Sequence, residues 1–174
     1  MGWKTKALIQ NIIAKLPDDI GNKTYYAIQR KFGGLKGDQN FRIKSLQDSK
    51  IIWESIIRNS YIPEEKIFFE VGTGRIPELP IFLWLMGAKE IITYDLNKLA
   101  KEELVKNFIK KIIENESVVR DILGNFIKEE RFKDLKKINE KKINLSKILD
   151  TCSIKYFAPA NASKTNISNN FIDF

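Results

Sequence analysis

Histidine is absent from the 174-residue sequence, and cysteine occurs once, as Cys152. Without an imidazole the common zinc-ligand sets and Ser–His–Asp chemistry lose their usual groups, and a single thiol makes neither an internal disulfide nor a multi-cysteine metal site. No metal site is expected, and with no histidine to activate it Cys152 reads as a small core residue. Long apolar runs are also lacking. The most apolar stretch, Ile76 to Ala88, is interrupted by Glu78 and two prolines, and falls short of the roughly 20 residues that a membrane-spanning helix needs. Near the N-terminus, Lys4, Lys6 and Lys15 flank only a short apolar stretch that contains Gln10 and Asn11, with no signal-peptide core or cleavage site. The expected location is the cytoplasm.

What is present is the composition of a folded domain: 43% hydrophobic and 30% charged residues, with 11 Phe and 5 Tyr. The net charge of +8 is dispersed, since residues 1–66 carry 12 basic and 7 acidic side chains and residues 101–150 carry 13 and 10. In the second of these stretches the signs alternate, as in Glu102 with Lys106, which is the pattern of a solvated helix face. An RNA partner therefore stays open through the basic N-terminal region, provided that folding gathers its dispersed charges into one patch.

The hydrophobic period divides the chain. Ala7, Leu8, Ile12 and Leu16 recur at helical spacing up to Pro17, a second helix is expected to begin after Asn22 and stop at Gly33-Gly34, and a third from about Ser45 to Asn59 with Leu46, Ile52, Trp53, Ile56 and Ile57 on its buried side. Trp53, Trp84 and the Tyr25-Tyr26 pair fall on helix faces, so they read as packing residues rather than base-stacking ones. The period then changes. Lys66–Val71 and Glu90–Asp95 read as strands with a helix from about Glu78 to Met86 between them, a βαβ unit whose nearly continuous apolar strands suit a parallel sheet covered on both faces. About fifty helical residues follow at 98–150, more than an ordinary crossover. A third strand is expected at Ser153–Phe157 and a fourth beginning at Phe171–Phe174.

The chemistry-bearing stretch is Glu70-Val71-Gly72-Thr73-Gly74. Glycines where a strand turns into a helix let the backbone approach a ligand closely. A dinucleotide fingerprint would place a third glycine at position 77, where Pro77 stands, so that reading is disfavoured. Glu70 before the turn and Asp95 at the end of the next strand suit a ligand with an ammonium and a ribose.

On these residues the chain resembles the class I S-adenosylmethionine-dependent methyltransferases. Glu70-x-Gly72-x-Gly74 is similar to their first motif, Ile92-Thr-Tyr-Asp95 to their second strand, and Tyr156-Phe-Ala-Pro-Ala-Asn161-Ala162 to the segment that meets adenine. The resemblance implies an α/β, Rossmann-like parallel sheet of order 3-2-1-4 over residues 66–174, preceded by an N-terminal helical cap over 1–65 and carrying a helical insertion. It implies S-adenosylmethionine as cofactor, with Glu70 holding the methionine ammonium, Gly72, Thr73 and Gly74 beside the methionine moiety, Asp95 on the ribose, and Asn161 and the Ala162 amide on the adenine edge. No catalytic residue is named. The acceptor it implies is a glycan or small molecule of bacterial biosynthesis. Because the family's sheet continues beyond a fourth strand, the alternative is a truncated, non-catalytic or split half that self-associates or pairs with a second chain at the Phe171–Phe174 edge.

Overall fold

The computed structural model describes residues 3–13, 15–32, 41, 43–140 and 143–174. By packing, the chain divides into 1–40 and 41–174. In the first unit α1 (Trp3–Ile13) and α2 (Asp18–Phe32) are joined through Pro17, whose carbonyl accepts the N–H groups of Ile20 and Gly21 at 2.9 and 2.8 Å. α2 therefore starts five residues earlier than expected, because proline is well tolerated just ahead of a helix, where no intrahelical N–H is lost. The Gly33-Gly34 stop lies outside the described residues.

The second unit is α/β. Its elements are α3 (Ile43–Arg58), β1 (Ile67–Val71), α4 (Glu78–Met86), β2 (Glu90–Tyr94), α5 (Glu102–Glu114), α6 (Glu116–Leu123), a 3₁₀ turn at Gly124–Phe126, α7 (Glu129–Glu140), α8 (Leu145–Thr151) and β3 (Ile154–Phe157). α3, expected with the N-terminal cap, shares the unit of the sheet. Its buried side is Leu46, Ser49 and Trp53, with Ile56 half-buried. Ile52 and Ile57 are exposed instead: Ile52 lies off the stripe that Leu46, Ser49 and Trp53 define at i, i+3 and i+7, and Ile57, though on it, stands in the last turn of the helix.

β1, β2 and β3 form a three-stranded parallel sheet in that order, with Val71 beside Tyr94 and Tyr94 beside Phe157. The expected fourth strand is not a strand of this sheet. Phe174 N–H donates to the Ile67 carbonyl at 3.2 Å, and its own carbonyl accepts the Phe69 N–H at 2.8 Å, which is one step of a parallel ladder. The Asp173 carboxylate takes the Ile67 N–H at 2.8 Å and pairs with Lys66 at 3.2 Å. A side chain thus occupies the place where a longer ladder would put a carbonyl.

Strand alternation separates two faces. Phe68, Ile91 and Ile154 point into the core shared with α3–α8, where the Trp53 ring stacks on Phe68 at 5.9 Å and Phe82 meets Phe108 edge-on at 5.5 Å. Cys152 is fully buried in the same core, and burial pushes its thiol up to about 12. The other face carries an aromatic row, Phe69–Tyr94–Phe157, with ring centroids 5.6 and 5.0 Å apart. It is less fully covered than continuous apolar strands suggest: Ile92 and Tyr94 are buried, but Phe157 and Val71 are 44% and 63% exposed.

α4 is buried almost all round, and its C-terminus is closed from outside the helix. Gly87, at φ 118°, lets the chain reverse. Arg131 of α7 then donates to the Trp84 and Ala88 carbonyls, with its guanidinium 5.5 Å above the Trp84 ring. Arg131→Met is expected to cost about 1–3 kcal/mol, because two carbonyls beside a buried helix end lose a charged donor. Arg131→Lys should recover less than half, an ammonium being unable to reproduce the planar fork. Urea midpoints of the two variants check this; equal midpoints for wild type and Met would overturn it.

Candidate functional site

The turn after β1 brings the expected residues together at the ends of β1 and β2. Gly72 and Gly74 have φ of 82° and 74°, conformations that favour glycine, and a Cβ built at either meets nothing within 4 Å. The space beside the turn is open. Asp95, buried at the end of β2, accepts the Gly74 N–H on Oδ2 at 2.8 Å and the Asn97 N–H on Oδ1 at 3.2 Å. One carboxylate therefore sets both the glycine turn and the loop after β2, and each of its oxygens retains a lone pair for a ligand hydroxyl.

Glu70 lies on the helix-covered face. Its Oε2 accepts from Thr73 Oγ1 at 2.5 Å and from Thr93 Oγ1 at 3.3 Å, while Oε1 has no partner among the described residues. Burial holds its carboxyl above the usual carboxylate range. The two hydroxyl bonds oppose that shift, and the charge of Asp95 adds to it. A partly desolvated carboxylate with one free oxygen, close to a second acid, is suited to a ligand cation.

Asn161 is placed differently from what the resemblance implies. Its Oδ1 accepts from both the N–H and the Oγ of Ser163, each at 2.9 Å, so it closes its own turn. With both acceptor positions in use, the side chain faces a ligand only as an Nδ2 donor. The Ala162 N–H has no partner among the described residues. The segment is held to β2 by the Ala160 N–H, which donates to the Asp95 carbonyl at 2.8 Å.

Two contributors escaped the sequence reading. Thr93 is fully buried and reaches Glu70 across from β1 to β2; a lone polar residue within the apolar run Ile91–Tyr94 was its signal. Tyr156 on β3 accepts the N–H groups of Leu99 and Ala100 at 3.1 and 3.3 Å and donates to the Asn97 carbonyl at 3.3 Å. It pins the loop that Asp95 begins, and nothing local in the sequence marks that role. Among the described residues no cluster of three or more Cys, Asp or Glu side chains could hold a metal ion, and no helix is long and apolar enough to cross a membrane. Compared with protein-family models, curated proteins and solved structures, the chain matches none, so the geometry of Glu70, the glycine turn and Asp95 carries the functional argument alone.

Proposed function

We propose that this chain binds S-adenosylmethionine at the ends of β1 and β2 and serves methyl transfer to a small-molecule or glycan acceptor, within a Rossmann-like arrangement of order 3-2-1-4 in which Phe171–Phe174 stands in the place of the fourth strand. The observation that carries the reading is the pair of acids about an open glycine turn: Glu70 with a free Oε1, and Asp95 with both oxygens oriented by backbone N–H groups. Glu70 would hold the ammonium and Asp95 the two ribose hydroxyls. Gly72 and Gly74 would let the chain approach the methionine portion, with the Ala162 N–H and Asn161 Nδ2 as donors to adenine ring nitrogens. The sulfonium of the bound cofactor supplies an electrophilic methyl group, so the protein's work is to align an acceptor for in-line attack and to exclude water.

Titration calorimetry with S-adenosylmethionine and its demethylated product, S-adenosylhomocysteine, tests the reading, and pH gives it a signature. Because the Glu70 carboxyl is raised by burial, it stays protonated to higher pH than an ordinary glutamate, and an ammonium is held only by the ionised form. Affinity is expected to climb as pH rises through that raised value and then level off, with the bound cation displacing the proton. Glu70→Gln should bind about tenfold more weakly on the plateau and lose the climb. In the unliganded protein the sign is opposite: the contribution of Glu70 to stability is complete below its unfolded value of about 4.5 and is lost as pH rises through the raised folded value. Absence of binding at millimolar ligand sinks the proposal.

A further inference from the structure

The chain between β2 and α5, residues 96–101, forms neither helix nor strand, so its peptide groups need partners outside the loop. They find them at Asp95, beside the glycine turn and on β3. The Asn97 N–H donates to Asp95 Oδ1 at 3.2 Å, and the Lys101 N–H donates to the Arg75 carbonyl, just after the glycine turn, at 3.3 Å. Between these ends one oxygen serves the rest. The Tyr156 hydroxyl donates to the Asn97 carbonyl at 3.3 Å and accepts the Leu99 and Ala100 N–H groups at 3.1 and 3.3 Å. The successive peptide groups 97–98, 98–99 and 99–100 are thus all tied to a single phenol. Burial does little to order the first half of the loop, since Leu96 is 68% exposed and Asn97 and Lys98 are exposed as well.

The tether bears on Asp95. Its Oδ2 is oriented by the Gly74 N–H, and its Oδ1 by the Asn97 N–H. Asn97 in turn is fixed from its other side, where its carbonyl meets Tyr156. Phenol and carboxylate are close neighbours: burial holds the Tyr156 hydroxyl above the ordinary phenol range against the pull of its two N–H donors, and the Asp95 charge adds to that shift, so the O–H persists as a donor. A binding group is held no more precisely than the hydrogen bonds of its support allow. We infer that Tyr156 is a positioning residue for the ligand site: through Asn97 it aims Asp95 Oδ1 at a ribose hydroxyl. The inference rests on the proposed role of Asp95 as the ribose acceptor and adds a residue from β3 that touches no ligand itself.

Calorimetric titration of S-adenosylhomocysteine into the full chain tests this, as a double-mutant cycle of Tyr156→Phe with Asp95→Ala. Tyr156→Phe keeps the ring and removes only the hydroxyl, and should bind about fivefold more weakly than the wild type. In the Asp95→Ala background the same change should cost less than about twofold, because the carboxylate through which the hydroxyl acts is gone. A hydroxyl that only steadied the fold would lower the urea midpoint and leave the affinity of the folded protein as it was. Equal affinity of wild type and Tyr156→Phe would therefore overturn the inference, and so would an undiminished loss in the Asp95→Ala background. Adenosine, titrated against the amide resonances, carries the ribose without the methionine portion, and should lose the same factor in Tyr156→Phe. If the wild type binds adenosine with that loss but does not bind S-adenosylhomocysteine, the methyl-donor reading falls and the positioning role stands. Binding of neither ligand at millimolar concentration overturns both.

Discussion

Asp95→Ala is expected to weaken S-adenosylhomocysteine binding by about 10- to 100-fold, since two ribose hydroxyls lose a charged acceptor. The same change frees the N–H groups of Gly74 and Asn97, which the carboxylate holds at 2.8 and 3.2 Å. A stability loss of about 1–3 kcal/mol should therefore accompany the loss of affinity. Asn is not a rescue. Its single carbonyl oxygen satisfies one of the two N–H groups and turns an NH₂ toward the other, setting donor against donor. A ligand lacking one ribose hydroxyl separates binding from scaffolding. The wild type should prefer S-adenosylhomocysteine to its 2′-deoxy analogue by about tenfold, and Asp95→Ala should show almost no preference. Equal discrimination by both proteins would show that Asp95 only shapes the turn.

The largest expected effect on folding is at Trp53. Its ring is fully buried and stacks on Phe68 at 5.9 Å with the planes within 9°, and Phe68 in turn lies 5.3 Å from Phe174. Trp53→Ala should cost about 3–5 kcal/mol, the loss of transfer energy adding to the cavity left where α3 meets β1. That is a fifth or more of the roughly 5–15 kcal/mol by which a domain is stable. Trp53→Phe should cost less than half as much. It keeps the stack and also removes an indole N–H that is buried without a hydrogen-bond partner among the described residues, so part of the volume penalty is offset. Equilibrium urea unfolding of both variants measures the difference. A cost below 1 kcal/mol for Trp53→Ala would mean that the α3–β1 contact contributes little, and that the core closes over the gap.

Much of the βαβ unit is local and was legible. Glu78–Met86 forms α4, and the strands at Ile67–Val71 and Glu90–Tyr94 lie within a residue of their expected ends. Short apolar runs bounded by glycine leave the backbone few alternatives. For the same reason Gly72, Gly74 and Asp95 meet: a parallel crossover returns the chain to the same sheet end, so the ends of β1 and β2 are neighbours whatever the side chains do. Composition alone already argued for Cys152 as a core residue.

Contacts between distant segments were not legible. Asn161 is a different case, because Ser163 lies only two residues on and reaches its oxygen first, the turn-forming role that an asparagine in such a loop often takes. Tyr156 reaches Asn97, Leu99 and Ala100 from more than fifty residues away, and only the pairing of β3 beside β2 brings its hydroxyl there. α3 carries an apolar stripe that fits either unit, and only the folded structure sets it on α4 and α6 with Trp53 stacked on Phe68. Period and turn chemistry act over a few residues and so set the elements and the glycine turn. Hydrogen-bond partners and the two faces of the sheet depend on register and on which segments come side by side, and those were decided only when the whole unit packed.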